Sequence, residues 1–105
     1  MAKYIMLINW TEQGIRNVER SPERLDAGRV LAKKLGGEIR KFYMTMGAHD
    51  IVAILDLPSD EAAAKFALTL GKGGNVRTTT MKAFSEATYR KLTGGVGGGG
   101  KAKKS

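Results

Sequence analysis

The chain has 105 residues, 42% of them hydrophobic, and it contains no cysteine. This length and composition predict one globular domain with a modest core. The absence of cysteine excludes disulfides, thiolate catalysis and cysteine-ligated metal sites, and it is compatible with a reducing compartment. No signal peptide is recognisable at the N-terminus, and no apolar run is long enough to cross a bilayer. We therefore expect a cytoplasmic protein with no metal or other cofactor.

The formal net charge of +8 is partly concentrated at the C-terminus. Lys101, Lys103 and Lys104 lie in the last five residues, whereas acids and bases are interspersed in the rest of the chain. A basic tail attracts polyanions without sequence preference. We interpret the charge mainly as a contribution to solubility, and we expect no specific nucleic-acid binding.

The first third of the chain predicts a strand followed by two helical segments. Lys3 to Trp10 alternates as a strand, with one apolar face made of Tyr4, Met6, Ile8 and Trp10 and a second made of Ile5 and Leu7. Thr11 is placed to cap a short helical turn in which Ile15 and Val18 point inward. Ser21, followed by a proline and an acid, predicts the cap of a second helix.

The middle of the chain predicts two strands joined by a tight turn. The second strand is Glu38 to Met46, with Ile39, Tyr43 and Thr45 on one face and Phe42, Met44 and Met46 on the other. Gly47 permits the positive φ of a hairpin turn. Asp50 to Leu57 is the third strand, and its continuous apolar run is typical of a central strand buried on both faces.

The last third predicts a helix, a strand and a short terminal helix. Ser59 caps the helix, whose apolar face is formed by Ala63, Phe66, Ala67 and Leu70. Val76 to Phe84 is the fourth strand, and Ser85 caps a final helix that ends at Leu92. We therefore expect a domain over residues 1–92 and a flexible Gly/Lys-rich tail over residues 93–105.

The order of these elements predicts an α+β fold of the ferredoxin-like type. A βαββαβ chain forms a four-stranded antiparallel sheet with both helices on one face. Because the first and third strands are apolar on both sides, the other face also needs a cover. We expect a homodimer or higher homo-oligomer in which a second copy covers this face, and a lipid-like ligand is the alternative.

Several stretches distributed along residues 3–92 carry a resemblance to a known family. They are Lys3 to Leu7, Trp10-Thr11, Ser21 to Arg24, Thr45 to Val52, Pro58 to Ala63 and Gly74 to Thr80. In these residues the chain resembles the GYD domain family, which belongs to the dimeric α+β barrel group. The family's motif is glycine, any residue, tyrosine, aspartate, and this chain has His49 at the tyrosine position. The resemblance implies the fold and the association but little chemistry.

His49 is the only histidine and the candidate catalytic residue. A histidine on the turn suits a proton shuttle or a ligand to one metal or haem iron, and the alternative is an exposed turn histidine without a chemical role. Asp50 is adjacent, so on an extended strand the two side chains point apart. For Asp50 we expect its carboxylate to accept backbone N–H groups of the turn, with ligand contact as the alternative.

A ligand-binding pocket is predicted from polar and aromatic residues on three of the strands. Its residues are Asn9, Trp10, Tyr43, Asp50, Arg77 and Thr79, with the threonines on either side of Thr79. Arginine with hydroxyl and amide groups suits a carboxylate or phosphate, and the aromatic rings suit an apolar body. The pocket lies either between sheet and helices or between two sheets. Core or interface positions are the alternative for the two aromatic residues.

Three functions follow from these features. The leading one is a small oligomeric protein that binds or senses a small organic ligand. An enzyme of the dimeric α+β barrel type, either a cofactor-free monooxygenase or isomerase or a haem-binding protein, is the second, and it would use His49. Polyanion binding through the basic tail is the third.

Overall fold

A four-stranded antiparallel sheet with helices on one side forms the body of the protein. A computed structural model describes residues 1–97. In chain order the elements are β1 (Ala2–Trp10), α1 (Glu12–Arg16), α2 (Ser21–Lys34), β2 (Glu38–Met44), β3 (Ile51–Leu57), α3 (Asp60–Lys72), β4 (Val76–Ala83) and α4 (Glu86–Val96). The strands lie in the order β2-β3-β1-β4, with every neighbouring pair antiparallel. This confirms the predicted ferredoxin-like α+β fold.

The core lies on the side of the sheet that α2 and α3 cover, which we call the helix-facing side. Alternate residues of β1 and β3 are buried there, and helix residues pack on them; the core consists of Tyr4, Met6, Ile8, Ala32, Ile39, Ile51, Ala53, Leu55, Leu57, Ala63 and Phe66. The predicted inward face of β1 is therefore confirmed. On the other side of the sheet, which we call the open face, no helix of residues 1–97 contributes to a buried core.

The start of α3 follows the sequence prediction. Ser59 accepts a hydrogen bond from the Ala62 amide at 3.1 Å, which caps the helix as expected. The predicted apolar face is also confirmed, because Ala63 and Phe66 are buried and the next two residues of that face pack against the core. This face fixes α3 on the sheet.

The start of α2 differs from the prediction. Ser21 is not the cap but the first helical residue, with φ −54° and ψ −41°. A 3-10 helical turn, Val18–Arg20, leads directly into the helix, and Arg20 occupies the cap position without a side-chain hydrogen bond that caps the helix. Because the preceding turn is already helical, the serine has no extended cap geometry to adopt.

The prediction that Ile15 points inward is wrong, because its side chain is 49% exposed. Val18, in the 3-10 turn, is 36% exposed but lines an apolar cavity at the start of α2. Gly14 is the buried residue of α1, and an added Cβ there would lie 1.9 Å from the Asn75 carbonyl oxygen. The short helix therefore packs through its backbone at the glycine, and its apolar side chains project away from that contact.

The predicted faces of β2 are wrong at one point. A β-bulge between Ile39 and Lys41 inserts an extra residue into the strand. Ile39 and Phe42 both lie on the helix-facing side as a result, whereas Tyr43 lies on the open face opposite Val52. The strand also ends at Met44 rather than at residue 46.

The final helix extends beyond the predicted domain boundary. α4 begins after the Ser85 cap as predicted, but it continues to Val96 instead of ending at Leu92. The predicted boundary at residue 92 thus falls inside a helix, and the end of the predicted tail, residues 98–105, lies outside the described residues. Among residues 1–97, no helix combines the length and apolar character that crossing a bilayer requires.

Candidate functional site

A cavity of about 330 Å³ lies between α2, α3 and the helix-facing side of the sheet. Its wall is almost entirely apolar and includes Met6, Trp10, Leu25, Phe42, Ala53 and Phe66. Small-molecule sites in proteins usually occupy roughly 300–1,000 Å³ and have mainly hydrophobic walls. The cavity therefore has the size and chemistry of a site for a small organic molecule.

A second cavity of about 280 Å³ adjoins the first at the start of α2. The two share wall residues from β1, α2, β2 and β3, namely Trp10, Ser21, Leu25, Phe42 and Ile51. The second cavity extends to Met44 at the end of β2, where the side chain is exposed. The shared walls make the two cavities neighbouring parts of one apolar region.

Few polar groups in the cavity wall are free to bind a ligand. The Arg24 guanidinium donates to the carbonyl oxygens of Gly14 at 3.2 Å and Asn17 at 3.3 Å. It thus caps the C-terminal end of α1. The indole N–H of Trp10 is buried and has no hydrogen-bond partner within residues 1–97. A buried, unpaired donor costs roughly 1–3 kcal/mol.

The sheet separates the predicted pocket residues. Trp10 is the one that lies in the cavity wall. The strand register and side-chain alternation place Tyr43, Arg77 and Thr79 on the open face, with Asn9 directly opposite Arg77. The structure therefore does not bring the predicted set together in one pocket, and the ligand-binding roles of the open-face residues stay predictions.

The sequence analysis did not identify any helix residue as part of a candidate site. Leu25 and Gly28 of α2 and Phe66 of α3 line it. One signal was available, because two residues of the wall, Gly28 and Ala53, are small. Whether small residues leave a void depends on the distance between the elements, which only the folded chain defines.

The loop between β2 and β3 is held firmly against the end of β1. Asp50 accepts a hydrogen bond from the Trp10 amide at 3.0 Å, and its own amide donates to the Ile8 carbonyl oxygen at 3.0 Å. The Thr45 hydroxyl donates to the His49 carbonyl oxygen at 2.6 Å. The Asp50 carboxylate thus accepts a backbone N–H as predicted, although the donor belongs to the neighbouring strand and not to the turn.

His49 and Asp50 do not form a pair. The half-buried His49 ring places Nδ1 3.2 Å from Oδ1 of Asn9. Gly47 has φ +119°, and nothing lies near the position of its missing Cβ. The backbone conformation therefore accounts for the glycine, whereas the loop hydrogen bonds bring Asn9, His49 and Asp50 together at one end of the sheet.

Residues 4–93 match the family model of the GYD domain. The chain belongs to the GYD domain family. Among solved structures, the crystal structure of TTHA0845 from Thermus thermophilus is similar, with a TM-score of 0.48 and 24% identity, and the match covers 81% of this chain and 95% of that chain. A comparison with curated proteins found no match.

A buried tyrosine ties the start of α3 to the sheet of this GYD domain. The Tyr4 hydroxyl donates to Oδ1 of Asp60 at 2.5 Å, and Lys82 lies 3.2 Å from the same oxygen. Burial, together with the hydrogen bond to Asp60, raises the pKa of Tyr4 to about 12. The hydrogen bond from Tyr4, and then that from Lys82, lowers the pKa of Asp60. The hydrogen bond of the Tyr4 hydroxyl therefore stabilises the position of α3 on the sheet.

Proposed function

We propose that this GYD domain binds a small, neutral and mainly apolar organic molecule in the cavity between the helices and the sheet. The single observation that carries the proposal is the apolar cavity of about 330 Å³. Protein interiors are close-packed, and voids larger than a water molecule are few. An apolar cavity of roughly 150 Å³ is already sufficient to bind benzene. A cavity of the present size therefore accommodates a larger ring system.

The polar groups in the wall favour a neutral ligand over an anion. Arg24, the cation at the cavity, already binds two backbone carbonyl groups. Arg77, the cation that the sequence assigned to the pocket, lies on the opposite face of the sheet. Trp10 contributes an aromatic side chain to the wall, which suits an apolar molecule.

Thermal denaturation with a panel of neutral ring compounds, such as indole and naphthol, tests this proposal. A ligand at 100 times its Kd stabilises the folded state by about 2.7 kcal/mol. For a domain of this size that corresponds to an increase in Tm of roughly 10–20 °C. Native mass spectrometry of the same samples should show one retained molecule per chain.

Two matched variants locate the binding site. Ala53 lines the cavity, and its neighbour Val52 lies on the open face. We expect Ala53→Leu to fill the cavity and abolish the increase in Tm, whereas Val52→Leu should retain it. A compound that stabilises both variants equally binds elsewhere. If no compound in the panel raises Tm or is retained in the mass spectrum, the proposal is wrong.

We also propose that a second copy of the chain covers the open face. The centre of this face is apolar and consists of Ile5, Leu7, Tyr43, Val52, Ile54 and Met81. One end is charged, because Asp56 lies 3.0 Å from Lys3 and 3.5 Å from Arg40. An apolar centre with a polar rim is the usual composition of a protein interface. A symmetric dimer would bury the same patch on both copies.

Sedimentation velocity tests the dimer directly. Leu7→Glu should convert a dimer to a monomer, because it introduces a charge at the centre of the patch. Val30→Glu is the matched control, since Val30 is exposed on α2. A monomeric unaltered chain at micromolar concentration would refute the proposal.

The other two functions stay predictions. A catalytic role for His49 needs a substrate at the loop between β2 and β3, and polyanion binding depends on Lys101, Lys103 and Lys104, which lie outside the described residues.

A further inference from the structure

Three polar residues lie at the end of the open face that is remote from the Lys3–Asp56 ion pair. Asn9 of β1 and Arg77 of β4 are directly opposite each other in the strand register. Side chains of such a pair have Cβ atoms about 4.5–5.5 Å apart and share one face of the sheet. His49 contacts the same asparagine from the loop, with its Nδ1 atom 3.2 Å from Oδ1. Asn9 therefore lies between a histidine and an arginine.

The hydrogen bonds of Asn9 fix the orientation of its amide group. Its Nδ2 group donates to the carbonyl oxygen of Ala48 at 3.2 Å, and a carbonyl can only accept. Its Oδ1 atom accepts from the amide N–H of Asp50 at 3.3 Å, and that group can only donate. The same N–H also donates to the Ile8 carbonyl oxygen at 3.0 Å, so the hydrogen bond is bifurcated. Exchanging the oxygen and the nitrogen would place two like groups against each other at both contacts. Oδ1 is thus the atom that faces His49.

The fixed amide also determines which nitrogen of His49 carries the proton. An amide oxygen only accepts, so the contact at 3.2 Å requires a proton on Nδ1. In the neutral ring Nε2 then has the free lone pair. Within residues 1–97, Nε2 has no hydrogen-bond partner. The loop therefore presents an oriented acceptor whose tautomer is set by its neighbour.

Arg77 provides a positive charge at the same end of the open face as His49. Its side chain is exposed on the open face and forms no ion pair within residues 1–97. Guanidinium groups bind carboxylates through two parallel hydrogen bonds. The nearby cation disfavours a metal ion at Nε2, and no group of three or more histidine, cysteine or acidic residues suited to a metal is present in the described part of the chain.

We infer that His49 and Arg77 form a second binding site, on the open face, for a small hydroxy acid. Arg77 binds the carboxylate, and Nε2 of His49 accepts a hydrogen bond from the hydroxyl group. Asn9 is a positioning residue, because it holds the histidine in the required tautomer. The site is separated from the cavity by the sheet, so it does not depend on the function proposed above. It lies at the polar rim of the face proposed to bind a second copy.

The tautomer is tested by ¹⁵N NMR of the imidazole ring in the unaltered protein. For the neutral ring we expect the signature of a protonated Nδ1 and an unprotonated Nε2. Asn9→Ala should move the ring toward a mixture of tautomers. A protonated Nε2 in the unaltered protein would overturn the inference.

Binding is tested by titration with salicylate and with benzoate, which lacks the hydroxyl group. We expect salicylate to shift the His49 signals in a saturable way, with a Kd at least tenfold lower than that of benzoate. Arg77→Met, which removes the charge from an exposed side chain, should raise the salicylate Kd at least tenfold. Lys41→Met is the control, because it removes a cation from a different row of the same face and should leave the Kd within twofold.

The variant Ala53→Leu distinguishes binding at this site from binding in the cavity. Salicylate binding should be unchanged in that variant, and stabilisation by neutral ring compounds should be unchanged in Arg77→Met. Loss of salicylate binding in Ala53→Leu would place the molecule in the cavity and refute the second site. Equal affinity for salicylate and benzoate would refute the role of His49, as would the absence of any saturable shift.

Discussion

The two faces of the sheet use the same four strands for different purposes. On the helix-facing side, β1 and β3 contribute large buried residues, but small residues such as Gly28 and Ala53 leave an apolar cavity between them. On the open face, the apolar centre is bordered by charged or polar side chains at both ends. The first arrangement forms a cavity, and the second forms a surface. Alternation along a strand thus allows one sheet to have a cavity on one face and an apolar surface on the other.

The largest expected effect comes from shortening a side chain on the helix-facing side. Phe66 of α3 is 2% exposed, so Phe66→Ala should lower the free energy of unfolding by about 3–5 kcal/mol. Leu7→Ala on the open face should cost less in the monomer but should weaken self-association. Urea denaturation with sedimentation at the same protein concentrations separates the two effects. Equal losses of stability, with no change in association, would contradict the distinction between the faces.

A smaller effect is expected from the hydroxyl group that joins α3 to the helix-facing side. Tyr4→Phe removes the hydrogen bond to Asp60 and should lower the free energy of unfolding by about 1–2 kcal/mol near neutral pH. The pKa of Tyr4 is about 12 in the folded state, against an ordinary value of 10.0. Its contribution is therefore present below pH 10 and is lost as the pH rises through 12.

Comparison of the unaltered protein with the Tyr4→Phe variant distinguishes the titration of Tyr4 from that of the lysines. The difference in unfolding free energy between the two proteins should be constant from pH 8 to pH 9 and should become smaller from pH 10 to pH 12. A difference that stays constant through pH 12 would show that the tyrosine hydroxyl is not protected by the fold.

The smallest expected effect is a gain in stability at the cavity wall. Gly28 lies within α2, and an added Cβ would meet only Ile39 Cδ1, at an ordinary 3.8 Å. Gly28→Ala should therefore raise the free energy of unfolding by about 0.5–1 kcal/mol. The methyl group also reduces the cavity, so the affinity for neutral ring compounds should fall. Gly14→Ala is the opposing control, because its Cβ would collide with the Asn75 carbonyl oxygen and should destabilise the protein.

The parts of the fold that depend on local signals were predictable from the sequence. The cap at Ser59 and the alternating faces of β1 both follow from residues adjacent in the chain. The exposure of Ile15 was not predictable, because it results from the contact of Gly14 with a loop about 60 residues away. The faces of β2 were wrong for a similar reason, since a bulge is defined by pairing with another strand.

The candidate site was harder to predict than the fold. The alternation within β1 placed Trp10 on one face, but the face of Arg77 depends on the register between β1 and β4, which only the folded sheet defines. The cavity depends on the summed volumes of residues from several elements, so no single stretch of sequence indicates it. The identity of the residues at the loop was predictable, whereas the orientation of Asn9 that determines the His49 tautomer was not.

The bulge in β2 also determines where this strand tolerates a change in length. Ile39 and Phe42 both point toward the helices because Arg40 is the extra residue between their paired positions. Deleting Arg40 would leave Ile39, Lys41 and Phe42 in regular alternation, with every later side chain on its present face. Deleting Lys41 would have the same result, because Arg40 would then take the position opposite Ile54. Deleting Phe42 would instead place Lys41 on the helix-facing side or require the strand to keep an irregular register. Relatives that are one residue shorter in this strand should therefore carry their gap at position 40 or 41.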